Sequence, residues 1–142
     1  MKLVIQSQTE RLSSVREFVS EAARQHGFDE ETVNKIALAV DEACTNVIKH
    51  AYRYAPDKNI EIRISSNKTS FEVTIYDTGI AFSPDAVPTP DMGQYLREYR
   101  RGGLGMYLMR SLMDKVEYTA RPGKRNEVHM IKFLPARKTG SS

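Results

Sequence analysis

The chain has 142 residues, 40% of them hydrophobic and 27% charged, with a net charge of +3. This length reads as one domain that buries a full core without staples, and its single cysteine, Cys44, excludes an internal disulfide. No apolar run approaches a membrane span, and Met1 to Ile5 is too short for a signal peptide, so the expectation is a cytoplasmic protein with no membrane partner. Arg97, Arg100, Arg101 and Arg110 form one basic cluster and Arg121, Lys124 and Arg125 another. The aromatic residues are scattered singly rather than interleaved with these, which argues against direct nucleic-acid binding and leaves a phosphate-bearing ligand or an acidic partner.

Taken in order, Lys2 to Ser7 is a short apolar run and reads as a first strand. From Glu10 to Gln25, Leu12, Val15, Phe18 and Ala22 recur at helical spacing, and Gly27 stands just past the end, where helices commonly stop. Asp29 is a good N-cap for a second helix, with Thr32 rather than Glu three residues on. That helix carries Ile36, Val40, Ala43, Val47 and Ala51 on one face, is rich in alanine, and ends before Pro56. Ile60, Ile62 and Ile64, then Phe71, Val73 and Ile75, alternate with polar residues on either side of a turn over residues 66–69. Such alternation implies a sheet with one face buried, so the helices cover a single face and the fold class is α+β, a two-layer sandwich.

Residues 83–101 hold Pro84, Pro88, Pro90 and Gly93 and no long periodic run, although a short helix is expected around Gln94 to Tyr99. A segment of this kind inside a compact domain is often a functional lid. Gly102-Gly103-Leu104-Gly105 opens a third helix, with Leu104, Tyr107, Leu112 and Met113 apolar. Two strands, near Val116 to Ala120 and Val128 to Leu134, follow with a turn at Pro122-Gly123 between them. The expected organisation is a single domain over residues 1–136 and a frayed polar tail over 137–142.

Three places carry chemistry. Glu42 and Asn46 lie four apart on the second helix, one turn above the other at the edge of its buried face. An isolated Glu-x-x-x-Asn is common on solvated helix edges and says little alone. Asp77-Thr78-Gly79 ends a strand, where glycine lets a backbone pass close to a ligand. Gly102-Gly103-x-Gly105 opens a helix, whose free N–H groups and dipole favour an anion such as phosphate.

In this order the three resemble the N, G1 and G2 boxes of the GHKL ATPase superfamily, which joins gyrase, chaperone, histidine-kinase and mismatch-repair ATPases. Asp41-Glu-Ala-Cys-Thr-Asn46 with His50-Ala-Tyr52, and Gly102-Gly-Leu-Gly-Met-Tyr-Leu-Met109 with Leu112-Met-Asp114, look closely like one branch. That branch is the bacterial anti-sigma factors that are also serine/threonine kinases, the RsbW type, and the likeness runs over roughly residues 1–135. It implies a sandwich of the GHKL (Bergerat) type, with a mixed, mostly antiparallel sheet and about three helices on one face.

The resemblance also implies roles. Asn46 would ligate Mg²⁺ through its amide oxygen, with nucleotide phosphates completing an octahedral shell. Glu42 would be the general base for the attacking hydroxyl. Asp77 would accept a hydrogen bond from the adenine amino group, Gly79 would let the base approach, and Ala81 stands where a third glycine is common. Gly102, Gly103, Leu104 and Gly105 would line the phosphates, and Arg100 or Arg101 from the lid would neutralise developing charge. The late Gly-Thr of the pattern reads Arg125-Asn126; Asn126 can still hydrogen-bond near adenine, whereas Arg125 replaces a glycine.

The implied activity is ATP-dependent phosphorylation of an anti-anti-sigma protein (STAS-type) on serine, together with sequestration of a sigma factor, and the resemblance also implies a homodimer. The alternative is a module that holds nucleotide and a partner without phosphoryl transfer; retention of Glu42 argues against it. A phosphotransfer histidine-kinase fragment would need a helical phosphoacceptor domain ahead of the second helix, where only about 30 residues stand. No Gly-x-x-x-x-Gly-Lys-Ser/Thr loop, His-Arg-Asp or Asp-Phe-Gly set, or zinc-ligand spacing occurs.

Overall fold

A computed structural model describes residues 1–81, 105–120 and 124–135. The expectations for the lid, the short helix near residues 94–99, Arg100, Arg101, Gly102, Gly103, Leu104, the turn at Pro122-Gly123 and the tail over 137–142 lie outside the described residues.

The described elements are β1 (Lys2–Gln6), α1 (Leu12–Gln25), α2 (Glu30–Asn46), β2 (Asn59–Ser66), β3 (Ser70–Asp77), α3 (Gly105–Leu112), β4 (Lys115–Thr119) and β5 (Asn126–Phe133). A 3₁₀ turn over Thr9–Arg11 leads into α1, and a π-helical turn over Val47–Ala51 continues α2. The strands form one sheet in the order β1-β2-β3-β5-β4, and every described pairing is antiparallel. The sheet is thus antiparallel throughout the described residues rather than mixed. The α+β sandwich itself is as the sequence implies, and no described helix is long and apolar enough to cross a membrane.

Local chemistry sets the boundaries. Gly27 has φ of +103°, a conformation that L side chains rarely adopt, and it turns the chain from α1 into α2. Asp29 caps α2 by accepting the Thr32 N–H at 2.8 Å, as its position predicts. Phe28 leaves this turn to pack edge-on against Phe71 of β3, with ring centroids 5.8 Å apart, which fixes the helix pair on the sheet.

Ile60, Ile62 and Ile64 of β2, Phe71, Val73 and Ile75 of β3, and Val128 and Met130 of β5 are buried under the helices, as alternation requires. The burial of α2 is broader than its single predicted stripe. Ala39 and Cys44 are as buried as Ile36 and Val40, because α2 packs against both α1 and α3 as well as the sheet. Small side chains at Ala39, Ala43 and Cys44 suit a helix with neighbours on several sides. Each large apolar side chain in this core contributes roughly 1.5–3 kcal/mol by leaving water.

Candidate functional site

The site is built where α2 ends against the loop that follows β3. Asn46 is the last α-helical residue of α2 and, despite its amide, is buried at 4% exposure. Glu42, one turn earlier, is partly exposed. Burial and the neighbouring Asp41 both push the Glu42 carboxyl above the ordinary glutamate range. Asp41 itself is held by Arg16 of α1 at 2.6 Å. His50 lies on the π-helical turn, and burial together with Lys49 lowers its tendency to protonate.

The π-helical turn changes what the helix end offers. Tyr52 N–H reaches the Val47 carbonyl, Tyr54 N–H reaches that of Ile48, and Arg53 and Tyr54 take φ of +49° and +66°. The Ala51 carbonyl accepts the Ile80 N–H at 2.8 Å, so the helix end binds the loop after β3 directly. Such widened turns recur at functional sites. Tyr52 adds a second tie: its hydroxyl donates to the Asn59 carbonyl and accepts the Thr78 N–H at 2.9 Å. An open recess bordered by Ala51, Tyr52, Lys58, Thr78, Gly79 and Ile80 lies beside the loop.

Gly79 is required by contact rather than by backbone angle. A Cβ there would sit 2.4 Å from the Ala51 oxygen and 2.6 Å from its carbonyl carbon. The glycine lets the loop close on the helix end.

Asp77 and Asn126 are cross-strand partners at the ends of β3 and β5, on the buried face and in register. Asp77 Oδ1 accepts the Gly79 N–H at 2.9 Å and the Asn126 Nδ2–H at 2.9 Å. The same Nδ2 donates to the Gly79 carbonyl at 3.0 Å. Asp77 Oδ2 is buried with no hydrogen-bond partner among the described residues. Burial raises the Asp77 carboxyl above its usual range, and the bonds from Asn126 and Gly79 pull it part of the way back. Arg125, next in sequence, goes to the opposite side of the sheet: its guanidinium stacks 3.9 Å from the Tyr76 ring centroid and lies 3.7 Å from Glu61.

Against the sequence expectations, Asp77, Gly79 and Asn126 are joined by hydrogen bonds into one cluster. Asn46 is buried just ahead of the helix end that holds it, and Gly105 opens α3. Ala81 is exposed just beyond the loop. Tyr52 and Ala51 were missed as loop anchors. His50-Ala-Tyr52 was visible as a motif, but nothing in its spacing showed that its hydroxyl reaches Thr78.

A family model described as "Histidine kinase-like ATPase domain" matches residues 5–132. This chain belongs to the histidine kinase-like ATPase family. Within that family it is of the RsbW type. It is 31% identical over 139 residues to serine-protein kinase RsbW of Bacillus subtilis (strain 168), covering 94% of this chain and 85% of that relative. It is 32% identical over 141 residues to serine-protein kinase RsbW of Bacillus pumilus (strain SAFR-032), with the same two coverages. The solved structure of the RsbU and RsbW domains of Rv1364c from Mycobacterium tuberculosis shares the fold, with a TM-score of 0.62 at 12% identity. That match covers 96% of this chain but only 33% of the other. At the level of the family, then, the fold is that of an ATP-binding domain and its named relatives are serine-protein kinases.

Proposed function

We propose that this chain is an ATP- and Mg²⁺-dependent serine/threonine protein kinase that is also an anti-sigma factor. It sequesters a sigma factor and phosphorylates a serine of a STAS-type anti-anti-sigma protein. The observation that carries the nucleotide site is Asp77 Oδ2, a buried acceptor with no partner among the described residues. Leaving such an atom unpaired costs roughly 1–3 kcal/mol, and a ligand N–H removes that cost. The 6-amino group of adenine supplies such a donor, and the 6-oxo group of guanine does not.

The other roles are those that the family resemblance implies, and each suits the chemistry of its residue. Asn46 offers a neutral amide oxygen that would hold Mg²⁺ together with the nucleotide phosphates, and the ion would supply charge neutralisation there. Glu42, with its raised pKa, is the general base: it takes the proton as the seryl oxygen attacks the γ-phosphorus and ADP leaves. Gly102, Gly103, Leu104 and Gly105 precede or begin α3, where backbone N–H groups and the helix dipole favour phosphate. Arg100 or Arg101 balances charge on the transferring group. Residues 1–136 act as one ATPase domain with 83–101 as its lid, in a cytoplasmic homodimer. The new phosphoserine adds a charge of about −1.5 to −2, which breaks the complex and returns this protein to the sigma factor.

The test is calorimetric titration of ATP with and without Mg²⁺, comparing wild type with Asp77→Ala and Asn46→Ala. Binding lost in Asp77→Ala, and Mg²⁺ dependence lost in Asn46→Ala, is the expected result. Phosphotransfer to the anti-anti-sigma protein, present in wild type and absent in Glu42→Ala, separates a kinase from a module that only binds nucleotide. Wild type that binds no adenine nucleotide refutes the proposal.

A further inference from the structure

We infer that Asn126 is the positioning residue for base recognition: one amide nitrogen clamps Asp77 to Gly79, so that a single carboxylate oxygen is left to read the purine 6-amino group. The inference rests on the nucleotide-site reading above and adds to it what makes that site discriminate.

The amide orientation is settled by its partners. Asp77 Oδ1 and the Gly79 carbonyl are both acceptors, so the atom of Asn126 facing them at 2.9 and 3.0 Å has to be the nitrogen with its two donors. Asp77 Oδ1 takes two hydrogen bonds, one from Asn126 and one from the Gly79 N–H, while Oδ2 takes none from the described residues. Turning the carboxylate would break both bonds to Oδ1 at once, so its free oxygen is held in one direction. Asn126 is 3% exposed and Asp77 2%, which leaves water little access to substitute for either bond.

The clamp also spans two elements. Asp77 and Asn126 close the ladder between β3 and β5, and the second bond from Asn126 reaches past the strand end to the loop carbonyl of Gly79. A hydroxyl has one donor and can serve only one of the two acceptors; the primary amide serves both. The change at 125–126 is thereby divided across the sheet. Arg125 stacks on Tyr76 on the open face, and Asn126 works inside. Both bonds to Asp77 favour its charged form and offset part of the burial that opposes it.

The experiment uses the full chain with Mg²⁺ and three triphosphates: ATP, purine riboside triphosphate, which lacks the amino group, and inosine triphosphate, which carries a 6-oxo group and an N1–H in its place. Wild type is expected to prefer ATP over purine riboside triphosphate by roughly 10- to 100-fold, the range for one hydrogen bond to a charged group. In Asn126→Ala that preference falls to about threefold or less, while affinity for purine riboside triphosphate is unchanged. Asn126→Thr, which retains one donor and a similar size, keeps an intermediate preference and guards against a misfolded alanine variant. Equal weakening of all three ligands, or a preference unchanged in both variants, overturns the inference and leaves the nucleotide site standing. Wild type that binds none of the three overturns the inference and the site together.

Discussion

Gly79→Ala is the sharpest probe of how the loop is held. The added Cβ would meet the Ala51 oxygen at 2.4 Å, its carbonyl carbon at 2.6 Å and its Cβ at 2.9 Å. Two of these are backbone atoms of a helix end, so no side-chain rotation relieves the clash. The loop has to move outward, and the 2.8 Å hydrogen bond from Ile80 N–H to the Ala51 carbonyl is the first to be lost. Overpacking costs about 1–3 kcal/mol and a lost hydrogen bond about 0.5–1.5, so the expected destabilisation is about 2–4 kcal/mol. For a chain of this size that lowers the melting temperature by about 10 °C. Displacing Gly79 also pulls its N–H away from Asp77 Oδ1, so ATP affinity should fall together with stability. Thermal unfolding with and without ATP measures both. Gly27→Ala is the control, because its Cβ meets nothing within 4 Å and only the φ of +103° is strained; its melting temperature should drop while nucleotide affinity stays at the wild-type value. A Gly79→Ala protein that melts within about 2 °C of wild type and binds ATP normally would refute this contact argument.

Glu42 predicts a pH profile. A general base works ionised, so the acid limb of kcat should fall as pH drops through a value above the ordinary glutamate range, and Glu42→Gln should lower kcat by roughly 10²–10⁴ without abolishing ATP binding. The stability sign is opposite: because the fold favours the protonated form, the contribution of Glu42 is present below its unfolded pKa and is lost as pH rises through its folded pKa. Glu42→Gln should therefore be at least as stable as wild type at neutral pH, and a marked drop in its melting temperature would count against the burial of Glu42. Asp29→Ala should melt a few degrees lower than wild type at pH 7. The bond to Thr32 depresses the Asp29 pKa, so this difference should shrink as pH falls through the depressed value; a difference independent of pH would exclude the charged cap.

The sequence by itself determined the layer architecture. Period-two alternation through Ile60–Ile64 and Phe71–Ile75 can bury only one face of a sheet, and the stripe through Ile36, Val40 and Ala43 can only lie against it. It also determined the helix boundary at Asp29 and singled out Asp77-Thr78-Gly79, because glycine and capping residues act through local backbone chemistry, whereas Asn126 became a candidate only through the family resemblance. Three things were decided by tertiary structure. The broad burial of α2 depends on what α1 and α3 place beside it, which no single-helix periodicity encodes. The π-helical turn at Val47–Ala51 has no propensity signature, since it exists to hand the Ala51 carbonyl to Ile80 and to set Tyr52 under Thr78. The division of labour between Arg125 and Asn126 depends on pairing with β3, since only register tells which of two adjacent residues faces the core. Local patterns fix which residues are competent; the meeting of residues 49 positions apart, Asp77 and Asn126, is a property of the folded sheet alone.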